Sequence, residues 1–157
     1  MTEDLTALGN DLLRAIARLN RWATRHASFD VPYAQARLLA LLDELGPERV
    51  SALAEADNSS QPTLTTQVQR LEAAGWARRE ADPDDARASL ISLTEQGRAA
   101  LDAVRHARYA VLAPVLEQLS PDEQDHLRDA VALLHRLVEA TSQPSPLPPP
   151  NSPLRKD

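Results

Sequence analysis

The chain has 157 residues, 43% of them hydrophobic and 25% charged, with a formal charge of −6, as expected of one ordinary globular domain or one subunit. With no cysteine and four glycines, disulfides, thiolate catalysis, Cys-ligated zinc and a glycine-rich phosphate loop are all excluded. No apolar run approaches the ~20 residues that span a bilayer, and the start MTEDLTALGND is too acidic for a signal peptide, so a cytoplasmic protein with no membrane partner is expected.

Residues 2 to 27 predict an amphipathic helix, because Leu5, Leu8, Leu12, Ile16 and Leu19 recur at three- and four-residue spacing. Asp30-Val31-Pro32 breaks it, and Pro32 suits the first turn of a second helix bearing Leu38, Leu39, Leu41 and Leu42. Gly46-Pro47 ends that helix, and a short one follows from about Val50 to Ala56. Asp57-Asn58-Ser59-Ser60 is a turn cluster. Pro62 then opens a helix whose Leu64, Val68 and Leu71 face inward and which Gly75 stops.

Two strands are expected next, Trp76 to Ala81 and Ser89 to Leu93, around an acidic loop from Asp82 to Arg87. Thr94 caps a long helix to about Leu119. Ser120-Pro121-Asp122-Glu123 combines a capping box with proline at the first helical position, so a last helix begins there. From 142 to 157 the chain is proline-rich and nearly without apolar residues. Such a tail cannot bury enough surface to fold and is expected to be disordered.

Helix, helix, short helix, turn, helix, hairpin is the order of a winged helix-turn-helix. The fold class expected is therefore mainly α with a small β-hairpin wing. Opposite its inner stripe, the helix after the turn presents Thr63, Thr66 and Arg70, with Gln67 and Gln69 at the margins. Hydroxyls, amides and an arginine are the groups that read base edges or phosphates in a major groove. A plain solvated face is the alternative, and the hairpin that follows at once favours the reading role.

Residues 61 to 97 resemble the MarR family of bacterial transcriptional regulators. The helix runs into Leu71-Glu72 and Gly75, the wing carries Asp85-Ala86-Arg87, and the second strand closes with Leu93-Thr94 before Gly97. Pro32, Gln35 and Leu38 resemble the family's second-helix start, and Leu53-Ala54 its short helix. The resemblance implies DNA contacts from Ser60, Gln61, Thr63, Thr66, Gln67 and Arg70, and from Arg87 oriented by Asp85. It also implies use of the terminal helices for dimerisation. The expected division is 1–28 with 95–141 as a helical dimerisation module and 29–94 as the DNA-binding domain. Many members carry a second wing-tip arginine where this chain has Ala86. From Asn58 to Thr94 the sequence holds four basic and five acidic residues, a poor electrostatic footprint for DNA unless the acids hold arginines in place.

Other constellations are weaker. Asp102 with His106, and Asp122, Asp125, His126 and Asp129, read as solvated helix surface, because a metal site needs three or four converging ligands. No Gly-x-Ser-x-Gly elbow exists for a serine hydrolase. Arg14, Arg18, Trp22, Arg25 and His26 form a basic-aromatic stripe on the first helix. By resemblance to family members that bind small aromatic anions, Arg18, Trp22 and His26 are candidate ligand residues.

The expected function is therefore a homodimeric, sequence-specific regulator of a pseudopalindromic double-stranded DNA operator, a repressor relieved by a small-molecule inducer. No enzyme activity, cofactor or metal is expected. The alternative is a winged-helix-like dimer that binds a ligand or protein partner and has lost DNA binding, for which the acidic balance and Ala86 speak.

Overall fold

The computed structural model describes residues 2–142; the proline-rich tail lies beyond them. The elements are α1 (Thr2–His26), α2 (Tyr33–Leu45), β1 (Glu48–Arg49), α3 (Val50–Ala56), α4 (Gln61–Ala73), β2 (Ala77–Asp82), β3 (Asp85–Leu93), α5 (Glu95–Leu116) and α6 (Pro121–Ser142). The class is as expected: helices with a small antiparallel sheet. Two details differ. Glu48 and Arg49 pair with Ile91 and Leu90, making a third strand in the order β1-β3-β2. Two residues are too few to show alternation, so this strand has no sequence signature. The wing loop is also shorter than expected. Asp82 pairs with Asp85 across Pro83-Asp84, next to a bulge at Ala81/Asp82. Poor strand formers are drawn into the ladder here because the Asp82 carboxylate accepts the Asp84 amide at 2.9 Å and organises the turn.

The fold has two compact units, one ending at Pro114 and one beginning at Val115. Pro114 lies inside α5 and removes one N–H from the helical ladder. In the first unit, α2, α3, α4 and the sheet enclose one core. Leu38, Leu39, Leu42, Leu53, Leu64, Val68, Leu71 and Ile91 are almost completely buried, each contributing about 1.5–3 kcal/mol of transfer free energy. The inner stripe of α4 lies where the periodicity put it. Pro32 stands at the N-cap of α2 rather than within its first turn.

The junctions around α4 are built from backbone chemistry. Ser60 caps the helix, its Oγ accepting the Thr63 amide at 3.3 Å. At the other end Gly75 takes a left-handed φ of 74°, while its amide and that of Trp76 donate to Glu72 and Leu71 carbonyls at 3.0 and 2.8 Å. The Leu-Thr-x-x-Gly segment also gains a physical reason. Thr94 Oγ1 donates to the Gly75 carbonyl at 2.6 Å and accepts the Gly97 amide at 3.0 Å. A Cβ on Gly97 would collide with the Trp76 carbonyl oxygen. Only glycine lets α5 begin this close to the start of the wing.

In the second unit α6 opens on the expected capping box. The Ser120 amide donates to Glu123 Oε2 at 2.8 Å, and the Glu123 amide donates to Ser120 Oγ at 3.3 Å. Its apolar residues Leu127, Val131, Leu133 and Leu137 are exposed, as are Leu5, Leu8, Leu13, Ile16 and Leu19 of α1 in the first unit.

Candidate nucleic-acid interface

The turn before α4 is held from α2. Arg37 donates from Nε and Nη2 to Asp57 Oδ1 at 2.9 and 2.5 Å and from Nη2 to the Asp57 carbonyl at 2.9 Å. Asn58 then turns with φ 51°, a conformation asparagine tolerates better than most residues. This sets the direction in which α4 leaves the core.

On α4, Gln61, Thr63, Thr66, Gln69 and Arg70 are exposed. Ser60 and Thr63 share a hydroxyl–hydroxyl hydrogen bond of 2.7 Å, so Ser60 acts first as the helix cap. The Thr66 hydroxyl donates to the Pro62 carbonyl at 3.1 Å, which leaves its oxygen free to accept and its methyl free to pack. Gln67 departs from the expected reading face. It stands three residues after Leu64 and four before Leu71, beside the inner stripe, and its Oε1 is buried without a partner among the described residues.

Three of the five acids of this region are held closely by arginines. Glu72 accepts from Arg79 Nε at 3.0 Å, and Glu80 pairs with Arg78 at 2.8 Å. Asp82 is held by Arg49 of β1, through Nε at 2.6 Å and through Nη2. No described acid pairs with Arg70 or Arg87. Asp85, expected to orient Arg87, reaches its main chain and not its guanidinium. Its Oδ1 accepts the Arg87 backbone amide at 3.0 Å, fixing the main chain and leaving the exposed side chain to project. The Asp84 amide, with the Arg49 guanidinium beside it, holds the Asp82 carboxyl below the usual carboxylate range. Arg49 and the Arg37–Asp57 tie escaped the sequence reading because their partners lie 33 and 20 residues away, beyond any local pattern.

The first unit also holds a cavity of about 170 Å³ lined by Thr24, Phe29, Tyr33, Arg37, Arg105 and Arg108, among others. Arg105 pairs with Asp43 at 2.7 Å and Arg108 donates to Asn20. The candidate ligand residues Arg18, Trp22 and His26 do not line it. The rings of Trp22 and His26 meet at a tilt of 30° with centroids 5.0 Å apart, and His26 Nδ1 is 2.8 Å from the Trp22 carbonyl. Among the described residues no three His, Asp or Glu side chains converge on a metal site, and no helix is long and apolar enough to cross a membrane.

Against known proteins, the profile of the MarR family matches residues 31–89. An uncharacterized HTH-type transcriptional regulator of Mycobacterium bovis is 33% identical over 140 residues, 88% of this chain and 98% of that one. Among solved structures, a putative transcriptional regulator from Pseudomonas aeruginosa is 28% identical with a TM-score of 0.76, covering 88% of this chain and 97% of its own. A MarR family protein from Bacillus stearothermophilus is also 28% identical, with a TM-score of 0.70 over 88% of this chain and 99% of its own.

Proposed function

This chain belongs to the MarR family of DNA-binding transcriptional regulators, which are not enzymes, and from that premise we propose that it acts as a homodimeric repressor of a pseudopalindromic operator. In this reading α4 enters the major groove with Thr63, Thr66 and Arg70 toward the bases. Arg87 enters the flanking minor groove, where narrow A·T-rich DNA concentrates negative potential. The observation that carries the reading is the sorting of charge. Glu72, Glu80 and Asp82 are engaged by arginines, while Arg70 and Arg87 are left for phosphate and groove.

The exposed leucines and isoleucine of α1 and the exposed apolar residues of α6 support dimerisation. Each stripe is too apolar to favour water, and a second copy of the chain would cover it. Residues 1–28 and 95–141 are accordingly the proposed dimerisation module, and 29–94 the DNA-binding domain. We assign the inducer to the cavity under α1. Arg108, paired with no described acid, favours an anion, Phe29 and Tyr33 favour a ring, and about 170 Å³ suits a one-ring molecule. Arg18, Trp22 and His26 remain a second candidate on the surface of α1. The protein is expected to work in the cytoplasm, where its operator lies.

The test is selection of bound sequences from a random duplex pool. The expected product is an inverted repeat with half-sites about one helical turn apart. Recovery of no enriched inverted repeat would refute the operator reading.

A further inference from the structure

Asp82, Asp84 and Asp85 crowd the tip of the wing beside Arg87 alone, a composition that should repel DNA. We propose that Arg49 is a positioning residue for DNA binding: it partly neutralises this acidic tip and fixes the backbone from which Arg87 reaches the duplex. Arg49 closes β1, the strand invisible in the sequence, and is paired to β3 opposite Leu90. Its Nε donates to Asp82 Oδ2 at 2.6 Å, and its Nη1 stands 3.8 Å from Asp85 Oδ2. Both carboxylates grip the turn through their other oxygens. Asp82 Oδ1 accepts the Asp84 amide at 2.9 Å, and Asp85 Oδ1 accepts the Arg87 amide at 3.0 Å.

One guanidinium therefore stands behind two carboxylates, each holding a backbone amide of the tip. The electrostatic consequence is that, with Arg87, a second cation offsets two of the three acidic charges before DNA approaches. The conformational consequence is that Asp82, only 6% exposed, keeps a counterion. Without one, the carboxylate would pull toward water and undo the turn. Arg49 acts through these acids, not by touching DNA. The inference rests on the proposed docking of the wing, so the test separates the two.

Operator affinity and melting temperature are measured across a salt series for the full chain and for substituted chains. Arg49→Met is expected to weaken binding about tenfold at low salt, with the deficit shrinking as salt screens the uncovered acids. Adding Asp84→Asn to it should recover part of the affinity, the share due to charge, and none of the melting temperature, because it removes charge from the tip and leaves Asp82 unpaired. A purely structural Arg49 would show no such recovery. Should Arg49→Met not fold, Arg49→Met with Asp82→Asn, which leaves no buried charge, takes its place as the parent for the same comparison. Binding within about twofold of wild type, or a loss that Asp84→Asn does not recover, overturns the inference. Arg87→Ala is the control. If it leaves affinity untouched, the wing docking falls and this role with it. If it weakens binding while Arg49→Met does not, only the role of Arg49 falls.

Discussion

Arg37 and Asp57 are joined by both a carboxylate and a main-chain carbonyl, at 2.5 to 2.9 Å, across twenty residues of sequence. Arg37 belongs to the helix that supplies Leu38, Leu39 and Leu42 to the core, and Asp57 is the first residue of the turn into α4. The pair therefore transfers the rigidity of the core to the segment that leads into α4. Arg37 also lines the arginine-rimmed cavity, so the same side chain faces the proposed inducer and holds the turn.

Arg37→Met removes the tie while keeping most of the stem. The pair is half-exposed, so the expected loss of stability is small, about 1 kcal/mol. DNA affinity should fall by more than that figure implies, since the turn is freed. Thermal unfolding and operator titration on the same samples check this. An affinity unchanged within error would show that the turn holds its direction without Arg37.

Thr66→Ala and Arg70→Ala should weaken specific binding by roughly 1–3 kcal/mol each where the side chain reaches base edges, and by less where it meets phosphate. Because the Thr66 hydroxyl already donates to Pro62, Thr66→Ala should be the milder of the two. Titration against the selected operator and a scrambled duplex separates base from phosphate contact. If both variants bind as wild type does, α4 is not the reading helix.

Leu19→Glu combined with Leu137→Glu tests assembly. Both leucines are about half exposed, so the substitutions spare the monomer core. Burying an unpaired charge in an interface costs several kcal/mol, so the doubly substituted chain should be a folded monomer. Sedimentation at micromolar concentration gives the answer. A wild type that sediments as a monomer there would remove the dimer from the proposal.

Acid should loosen the wing and the start of α6. Backbone amides, those of Asp84 and Ser120, hold the Asp82 and Glu123 carboxyls below their usual range. A depressed carboxylate contributes stability that is present above its unfolded value of about 4 and is lost as pH falls through the lower folded value. Melting temperature should therefore be flat near neutrality and drop below about pH 4. Asp82→Asn should flatten part of that drop. Parallel wild-type and Asp82→Asn curves would show that Asp82 does not titrate differently in the folded chain.

Local chemistry by itself determined much of this protein. The spacing of Leu64, Val68 and Leu71 fixed the buried face of α4, and Ser120 to Glu123 fixed the start of α6. Gly75 marked the left-handed end of α4. All of these depend on neighbours within a turn or two, so their physics is contained in the local sequence. Gln67, at the margin of the outer face by spacing, borders the inner stripe, where side-chain packing rather than spacing decides which way an amide turns. Other features needed the assembled chain. The strand containing Arg49 exists only because Ile91 and Leu90 are there to receive it, and the pairing of Glu72, Glu80 and Asp82 with Arg79, Arg78 and Arg49 is settled in space. A charge count along the sequence sees five acids and four bases as repulsion from DNA. The fold places a fifth cation, from outside the counted segment, behind the acids and pairs no described acid with Arg70 or Arg87. Charge acts through distance in three dimensions, and that distance is set by the tertiary structure alone.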